Sequence, residues 1–191
     1  MIKKLTVPSR GATVAAGAFV VTLSFAAVAG AETFGFGTTP TEQEIAAIDI
    51  DVMSDGRGYP KGSGTVAQGK EVYASKCAAC HGENMEGVKE AGGAALIGGR
   101  GSIGTPKTKK TVESYWPYAS TLFDYTKRAM PFNEPGSLSN DEVYAVSAYI
   151  LHKANIVDAN ATMNAETMSK VEMPNKDGFI PDPRPDIFNY R

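Results

Sequence analysis

Three residues in one short run carry the most specific chemistry in the sequence. Cys77, Cys80 and His81 are spaced as C-x-x-C-H, the pattern by which a c-type haem is attached. Two thiols on one turn can each bond a vinyl group of the same porphyrin, and the adjacent imidazole can ligate the iron. The spacing predicts one covalently bound haem, with Cys77 and Cys80 as attachment points and His81 as the proximal iron ligand.

Other uses of this run are weaker. A redox dithiol does not need the histidine, and a zinc site needs two further soft ligands. The chain has only two cysteines and two histidines, which excludes a site of four thiolates. A structural disulfide between Cys77 and Cys80 stays open as the alternative.

Met130 is the predicted distal iron ligand. In c-type sites the position opposite the proximal histidine is usually taken by a methionine sulfur or a second histidine. Met130 stands at the expected end of a helix, and Pro131 stiffens the chain after it. Met85 follows His81 by only four residues, too few to reach the opposite face. His152 falls within a predicted helix, where a surface histidine is the usual explanation.

A glycine-rich stretch, residues 82–104, follows the motif and would let the backbone approach the haem. Leu96 and Ile97 are predicted to cover the porphyrin. Arg100 is the candidate contact for a haem propionate, because a guanidinium can bond a carboxylate through two N–H groups. A solvated surface arginine is an equal alternative.

Three capping-box patterns predict the helices that position these residues, since the first and fourth side chains of each satisfy exposed backbone N–H groups. Thr41-Glu42-Gln43-Glu44 opens a short helix through Ile48. Thr65-Val66-Ala67-Gln68 opens a helix that runs into Cys77. Ser139-Asn140-Asp141-Glu142 opens the last core helix, which ends near Lys153. The second of these helices would carry the C-x-x-C-H run at its end.

The second and last of these helices are expected to cross closely. Gly69 and Tyr73 lie four residues apart on one face of the second helix. Tyr149 is the candidate on the last helix to meet them. The apolar stripe of the last helix consists of Val143, Val146, Ile150 and Leu151.

Another helix is predicted from Pro117 to about Arg128, because proline suits the first helical position. Trp116, just before it, is expected to pack against the core, with an indole hydrogen bond to a propionate as the alternative.

Asn164-Ala165-Glu166-Thr167 predicts a brief helix in the tail, and the stretch from Met173 to Arg191 is expected to be extended.

The first residues resemble an export signal, with Lys3, Lys4 and Arg10 before an apolar stretch and Ala29-Gly30-Ala31 at its end. Cleavage after Ala31 is predicted, and an uncleaved anchor is the rival. A periplasmic protein with no permanent membrane span is therefore expected. Cleavage would take the formal net charge from −2 to about −5. A mildly acidic chain without a long basic run is a poor binder of nucleic acid.

The composition divides the chain into four parts. They are a cleaved signal peptide at 1–31, an N-terminal arm at 32–64, a haem domain at 65–158 and a C-terminal extended tail at 159–191. The arm carries more apolar residues than a solvated linker would, so it is predicted to pack on its own domain or on a partner.

Several longer runs resemble the SoxD-type cytochromes c, partners of molybdenum-containing dehydrogenases of the sulfite oxidase family. These runs are Asp49-Ile50-Asp51-Val52, Gly62-Ser63-Gly64, Tyr115-Trp116-Pro117-Tyr118, Arg128-Ala129-Met130-Pro131-Phe132 and Met173-Pro174-Asn175-Lys176-Asp177-Gly178-Phe179. The resemblance covers nearly all of the chain after the signal segment. The single C-x-x-C-H departs from longer members, which have two.

The resemblance implies an all-α fold, a class I cytochrome c-like single-haem domain with extended N- and C-terminal arms. It also implies Cys77 and Cys80 as attachment points and His81 and Met130 as iron ligands, in agreement with the chemistry. The implied partner is a molybdenum-cofactor dehydrogenase subunit that oxidises sulfane sulfur or sulfite and passes electrons singly to the haem, from which they go to a downstream periplasmic acceptor.

Three functions follow from these observations. The first is an electron-transfer subunit of such a dehydrogenase, which is not an enzyme on its own. The second is a freely diffusing cytochrome that carries electrons to an oxidase or reaction centre, although that function leaves the long flanks unexplained. The third, a haem enzyme or gas sensor, needs an open iron position, which Met130 would close.

Overall fold

A computed structural model describes residues 36–181, so the predicted signal peptide at 1–31 and the tail from 182 lie outside the described residues. The described chain is mostly helical. Its elements in order are α1 (Glu42–Ile48), β1 (Ser63–Thr65), α2 (Val66–Lys76), α3 (Ala78–His81), a 3₁₀ turn (Lys89–Ala91), α4 (Ala119–Ala129), α5 (Asn140–Lys153), β2 (Thr162–Asn164) and α6 (Ala165–Ser169). From Pro40 onward the described residues form one compact unit.

The three predicted capping boxes are confirmed. The side chains of Thr41, Thr65 and Ser139 each accept a hydrogen bond from the backbone N–H three residues on. The side chain of that fourth residue in turn accepts one from the backbone N–H of the capping residue. These contacts satisfy N–H groups that a helix leaves unpaired at its start. Local sequence therefore sets the beginnings of α1, α2 and α5.

The centre of the fold is the crossing of α2 over α5. A Cβ atom on Gly69 would lie 1.8 Å from the Ala145 carbonyl oxygen and 2.8 Å from Tyr149 Cβ, so only glycine permits this approach. The rings of Tyr73 and Tyr149 lie 5.5 Å apart beside the crossing. The predicted contact between these helices is confirmed.

Helix α4 packs its buried face on α5. Leu122 and Phe123 are buried on α4, and the Phe123 and Tyr144 ring centroids are 4.5 Å apart. Tyr59, from the segment before β1, adds an edge-on contact to Phe123 at 5.2 Å. The predicted stripe of α5 is buried as expected, at Val143, Val146, Ile150 and Leu151.

Helix α4 begins later than the sequence predicts. Its N-cap is Tyr118, in an extended conformation, and Pro117 lies before the helix rather than in its first turn. Tyr118 forms an isolated antiparallel bridge with Glu172 of the tail. This pairing fixes an extended backbone at 118, and helical geometry can begin only after it.

A short ladder joins the segment before α2 to the segment after α5. Strands β1 and β2 pair antiparallel, with Gly64 opposite Met163. Asn164 then caps α6 with its side chain, as the sequence predicts. Met163, Met168 and Met173 are each buried in the same apolar core as the helices. The tail therefore contributes to the core and does not simply lie on it.

The segment 49–52 forms no strand in the structure. Val52 is half-buried against the core, while Ile50 remains 40% exposed. Helix α1 precedes it and buries none of its residues. Within residues 36–181, no helix has the length and apolar character needed to cross a membrane.

Candidate haem site

The C-x-x-C-H run forms one helical turn at the end of α2. Cys77 ends α2, its N–H donating to the Tyr73 carbonyl oxygen at 2.9 Å. The Cys77 carbonyl oxygen then accepts from the N–H groups of Cys80 at 3.2 Å and His81 at 2.9 Å. Both thiols and the imidazole are thus held on a single turn, as attachment to one porphyrin requires.

A single hydrogen bond selects the tautomer of the neutral His81 ring. Its Nδ1 lies 2.7 Å from the carbonyl oxygen of Ala94, in the glycine-rich stretch. A carbonyl oxygen can only accept, so Nδ1 carries the proton and donates it. In the neutral ring, Nε2 then has the free lone pair through which imidazole binds a metal.

Cys77 is half-buried and Cys80 is exposed. Burial, together with the neighbouring Cys80, raises the pKa of the Cys77 thiol to about 11. Reactive redox dithiols have a lowered thiol pKa, so this environment does not favour a thioredoxin-like function. No cluster of three or more metal-binding side chains occurs within residues 36–181.

The loop after the motif packs directly on it. A Cβ atom on Gly93 would lie 1.8 Å from the Cys80 carbonyl oxygen, so glycine permits the contact. The hydroxyl of Tyr73 donates to the Gly82 carbonyl oxygen at 2.7 Å from a buried position. Leu96 and Ile97 are half-buried against the apolar core. The loop therefore offers apolar side chains beside a motif that stays partly accessible.

Two alternative distal ligands have other roles in the fold. Met85 is fully buried, with a backbone φ of 63°. His152, in the last turn of α5, has Nδ1 3.2 Å from the Val157 carbonyl oxygen. Met85 is thus a core side chain, and His152 belongs to the end of α5.

Met130 ends α4 and is half-buried, and its N–H donates to the Thr126 carbonyl oxygen at 3.2 Å. The turn after it reaches back towards the motif. Glu134 in this turn forms an ion pair of 3.6 Å with Lys76, the residue before Cys77. The chain around Met130 therefore lies within side-chain reach of the motif helix.

Arg100 is bonded to protein groups. Its Nε donates to Glu113 at 3.0 Å and its Nη2 to the Ala154 carbonyl oxygen at 2.6 Å. Nη1 has no partner among the described residues, and a propionate contact by Arg100 stays a prediction. Trp116 packs against the core, with its ring 5.8 Å from that of Tyr125.

Sequence reasoning missed two parts of this site. No sequence pattern indicates the Ala94 carbonyl that orients His81, because every residue has a backbone carbonyl. Asp124 and Arg128, on the last turns of α4, bond the N-terminal arm just before Met130. Their four-residue spacing signals an ion pair within a helix, but nothing in it indicates the third partner.

Comparison with known proteins identifies the family. The Cytochrome c family model matches residues 66–154, which includes the motif and Met130. The crystal structure of the sulfane dehydrogenase SoxCD from Paracoccus pantotrophus matches with a TM-score of 0.74 and 40% sequence identity, covering 83% of this chain and 76% of that chain. The chain belongs to the SoxD-type cytochromes c. The cofactor of this SoxD-type cytochrome is accordingly a covalently bound c-type haem, and Cys77 and Cys80 fit its attachment pattern.

Two curated relatives share a smaller part of this SoxD-type cytochrome. Thiosulfate dehydrogenase of Stutzerimonas stutzeri (strain A1501) is 30% identical over 118 residues, 58% of this chain and 33% of the relative. Thiosulfate dehydrogenase of Psychrobacter arcticus (strain DSM 17307 / VKM B-2377 / 273-4) is 28% identical over 121 residues, 59% of this chain and 35% of the relative. The chain spans about a third of the length of these relatives.

Proposed function

We propose that this SoxD-type cytochrome is the electron-transfer subunit of a periplasmic molybdenum-containing dehydrogenase that oxidises sulfane sulfur or sulfite. The similarity to the SoxCD sulfane dehydrogenase, which extends over 83% of this chain, carries the proposal. It reaches beyond the haem domain into the flanks. A shuttle cytochrome would need to share only the domain itself.

Four residues would hold the haem. Cys77 and Cys80 would bond it covalently, His81 would ligate the iron through Nε2, and Met130 would be the opposite ligand through sulfur. When bound, the haem supplies one-electron iron chemistry, with a potential raised by a methionine–histidine pair. The Ala94 hydrogen bond keeps the His81 ring in the tautomer that binds metal.

The chain itself would transfer electrons and leave substrate chemistry to its partner. A methionine that fills the sixth position leaves no open iron site for a substrate. Electrons would enter from the molybdenum subunit and leave to a downstream acceptor of the respiratory chain. The thiosulfate dehydrogenases share only a part of their length with this chain, which agrees with a common electron-carrying module.

The N-terminal arm is the surface we assign to the partner. Helix α1 buries none of its residues, and Ile48 is 77% exposed. Ile45, on the same helix, is 39% exposed. An isolated helix of this length is marginal in water, and exposed apolar side chains on it suit a protein contact.

The proposal is tested by measuring binding and electron transfer with a purified SoxC-type molybdenum subunit. We expect Ile45→Glu and Ile48→Glu together to weaken binding at least about tenfold, since burying an unpaired carboxylate in an interface is strongly unfavourable. Haem content and reduction potential should not change. Electron transfer at limiting partner concentration should slow in proportion to the lost binding.

The matched control is Ile103→Glu, which alters an isoleucine of equal exposure, 39%, in the loop after the motif. It should bind the partner as the unchanged protein does. A freely diffusing shuttle gives the opposite result: no stable complex forms, and the α1 variants accept electrons at the unchanged rate. That result would refute the subunit proposal.

A further inference from the structure

Charged groups join the N-terminal arm to the last turns of α4. Asp124 Oδ1 accepts a hydrogen bond from the Val52 N–H at 3.1 Å, and Asp124 Oδ2 accepts one from Arg128 Nε at 2.9 Å. Arg128 Nη2 also donates to the carboxylate of Asp51. We call Asp51, Val52, Asp124 and Arg128 the arm–α4 cluster.

The arm–α4 cluster differs from an ordinary surface ion pair. The Asp124 and Arg128 side chains are 27% and 35% exposed, and the Asp51 side chain is 69% exposed. An isolated pair at the exposure of Asp51 would contribute little. Arg128 bridges two carboxylates, and charge-assisted hydrogen bonds of this kind are among the stronger ones. Asp51 lies 77 residues from Arg128 in sequence. The cluster therefore fixes a tertiary contact and does more than support one helix.

The arm–α4 cluster lies close in sequence to Met130, the proposed distal iron ligand. Arg128 lies two residues before Met130, and α4 ends at Ala129. Helix ends fray unless other groups hold them. The Met130 N–H donates to the Thr126 carbonyl oxygen, so the backbone of Met130 follows the position of the last turn of α4.

We propose that Asp51 and Arg128 are positioning residues that hold the end of α4 so that the Met130 sulfur stays on the haem iron. This rests on the proposed function, in which Met130 is the distal ligand. The arm thereby has a role within its own subunit, separate from any contact of α1 with a partner. Loosening the arm–α4 cluster would let Met130 leave the iron more often while the fold persists.

The test uses the haem-loaded full chain and two optical readouts. One is the weak red absorption band of ferric haem with a thioether ligand, and the other is the rate of carbon monoxide binding to the ferrous protein. Arg128→Ala should weaken the band and speed carbon monoxide binding about tenfold, as expected for losing charge-assisted contacts. Asp51→Asn should give a smaller change in the same direction. Arg128→Lys, which keeps the charge, should bring the carbon monoxide binding rate part of the way back to that of the unchanged protein.

Arg57→Ala is the matched control, because Arg57 pairs with Asp55 at 2.7 Å in the same arm. It should leave both readouts unchanged. The proposal is overturned if Arg128→Ala lowers the melting temperature but keeps the band and the carbon monoxide rate. Should Arg128→Ala fail to incorporate haem, Asp51→Asn decides, and readouts equal to those of the unchanged protein overturn the proposal.

Met130→Ala separates this proposal from the one it rests on. With Met130 as ligand, this variant loses the band and binds carbon monoxide fast. A Met130→Ala protein with an unchanged spectrum would overturn the ligand assignment and the positioning role together. A changed Met130→Ala spectrum beside unchanged Arg128 and Asp51 variants would overturn the positioning role alone.

Discussion

At His81 the bond from Nδ1 to the Ala94 carbonyl oxygen selects the tautomer that can ligate iron. Outer hydrogen bonds of this kind orient metal-binding histidines and increase their basicity. The glycine-rich loop thus acts on the site through a backbone group. Its apolar side chains, Leu96 and Ile97, have a different role, because they pack against the core beside the motif.

The distal position gives a residue-scale prediction. Met130→His should keep a low-spin iron but lower the reduction potential, because two nitrogen ligands hold it lower than a methionine–histidine pair. Redox titration followed by visible absorption measures this change. Met85→Ala is the control, since the Met85 side chain is fully buried in the core. It should reduce stability by about 2–5 kcal/mol and leave the potential alone. A Met130→His protein with the unchanged potential contradicts the assignment.

Residue types and spacing reveal the chemistry of single residues but not their partners. The pattern Cys77, Cys80 and His81 predicts a haem because attachment requires these types on one turn. Arg100 shows the limit: the sequence offers a cation for a propionate, and the fold directs its guanidinium to Glu113 and a carbonyl. Tertiary contacts, which spacing does not encode, decide such partners.

At the scale of elements, local signals predicted the helices and missed the strands. The capping boxes at Thr41, Thr65 and Ser139 are complete within four residues, so sequence alone shows where α1, α2 and α5 begin. Strands β1 and β2 are three residues each and pair across the length of the haem domain. A ladder this short has no periodicity to read, and its pairing depends on the completed fold.

The capping box of α5 predicts a pH dependence. The Ser139 N–H and hydroxyl each donate to Glu142 Oε2 at 2.8 Å, and these bonds lower the pKa of Glu142 from its ordinary value of 4.5. The folded protein thus binds this proton less tightly than the unfolded chain. Its contribution to stability is complete above pH 4.5 and is lost as the pH falls through the lower folded pKa.

Glu142→Gln tests this dependence, because glutamine also closes a capping box but does not titrate. We expect unfolding midpoints of the variant to fall less than those of the unchanged protein between about pH 5 and pH 3. Ser139→Ala, which removes the donating hydroxyl, should cost about 1 kcal/mol at neutral pH. Equal acid sensitivity of Glu142→Gln and the unchanged protein would show that the Glu142 carboxyl does not contribute as described.

At the scale of the molecule, the tail forms part of the core. The division of the chain at residue 158 stays a prediction, yet Met168 is 1% exposed and belongs to the same apolar cluster as the helices. Met168→Ala should therefore lower the free energy of unfolding by about 2–5 kcal/mol. Met53→Ala, at a methionine 48% exposed, should change it by less than about 0.5 kcal/mol. Equal effects in denaturant unfolding would mean that the tail does not support the core.

The central claim is that one haem is bonded to this chain through Cys77 and Cys80, and the mass of the purified protein tests it most directly. After acidified acetone extraction and denaturation, we expect the chain to retain the mass of one haem, located on the peptide that contains Cys77 to His81. Thioether bonds survive this treatment, whereas axial ligation alone does not. A chain that gives up its haem to the solvent, or that shows a Cys77–Cys80 disulfide and no added mass, contradicts the account.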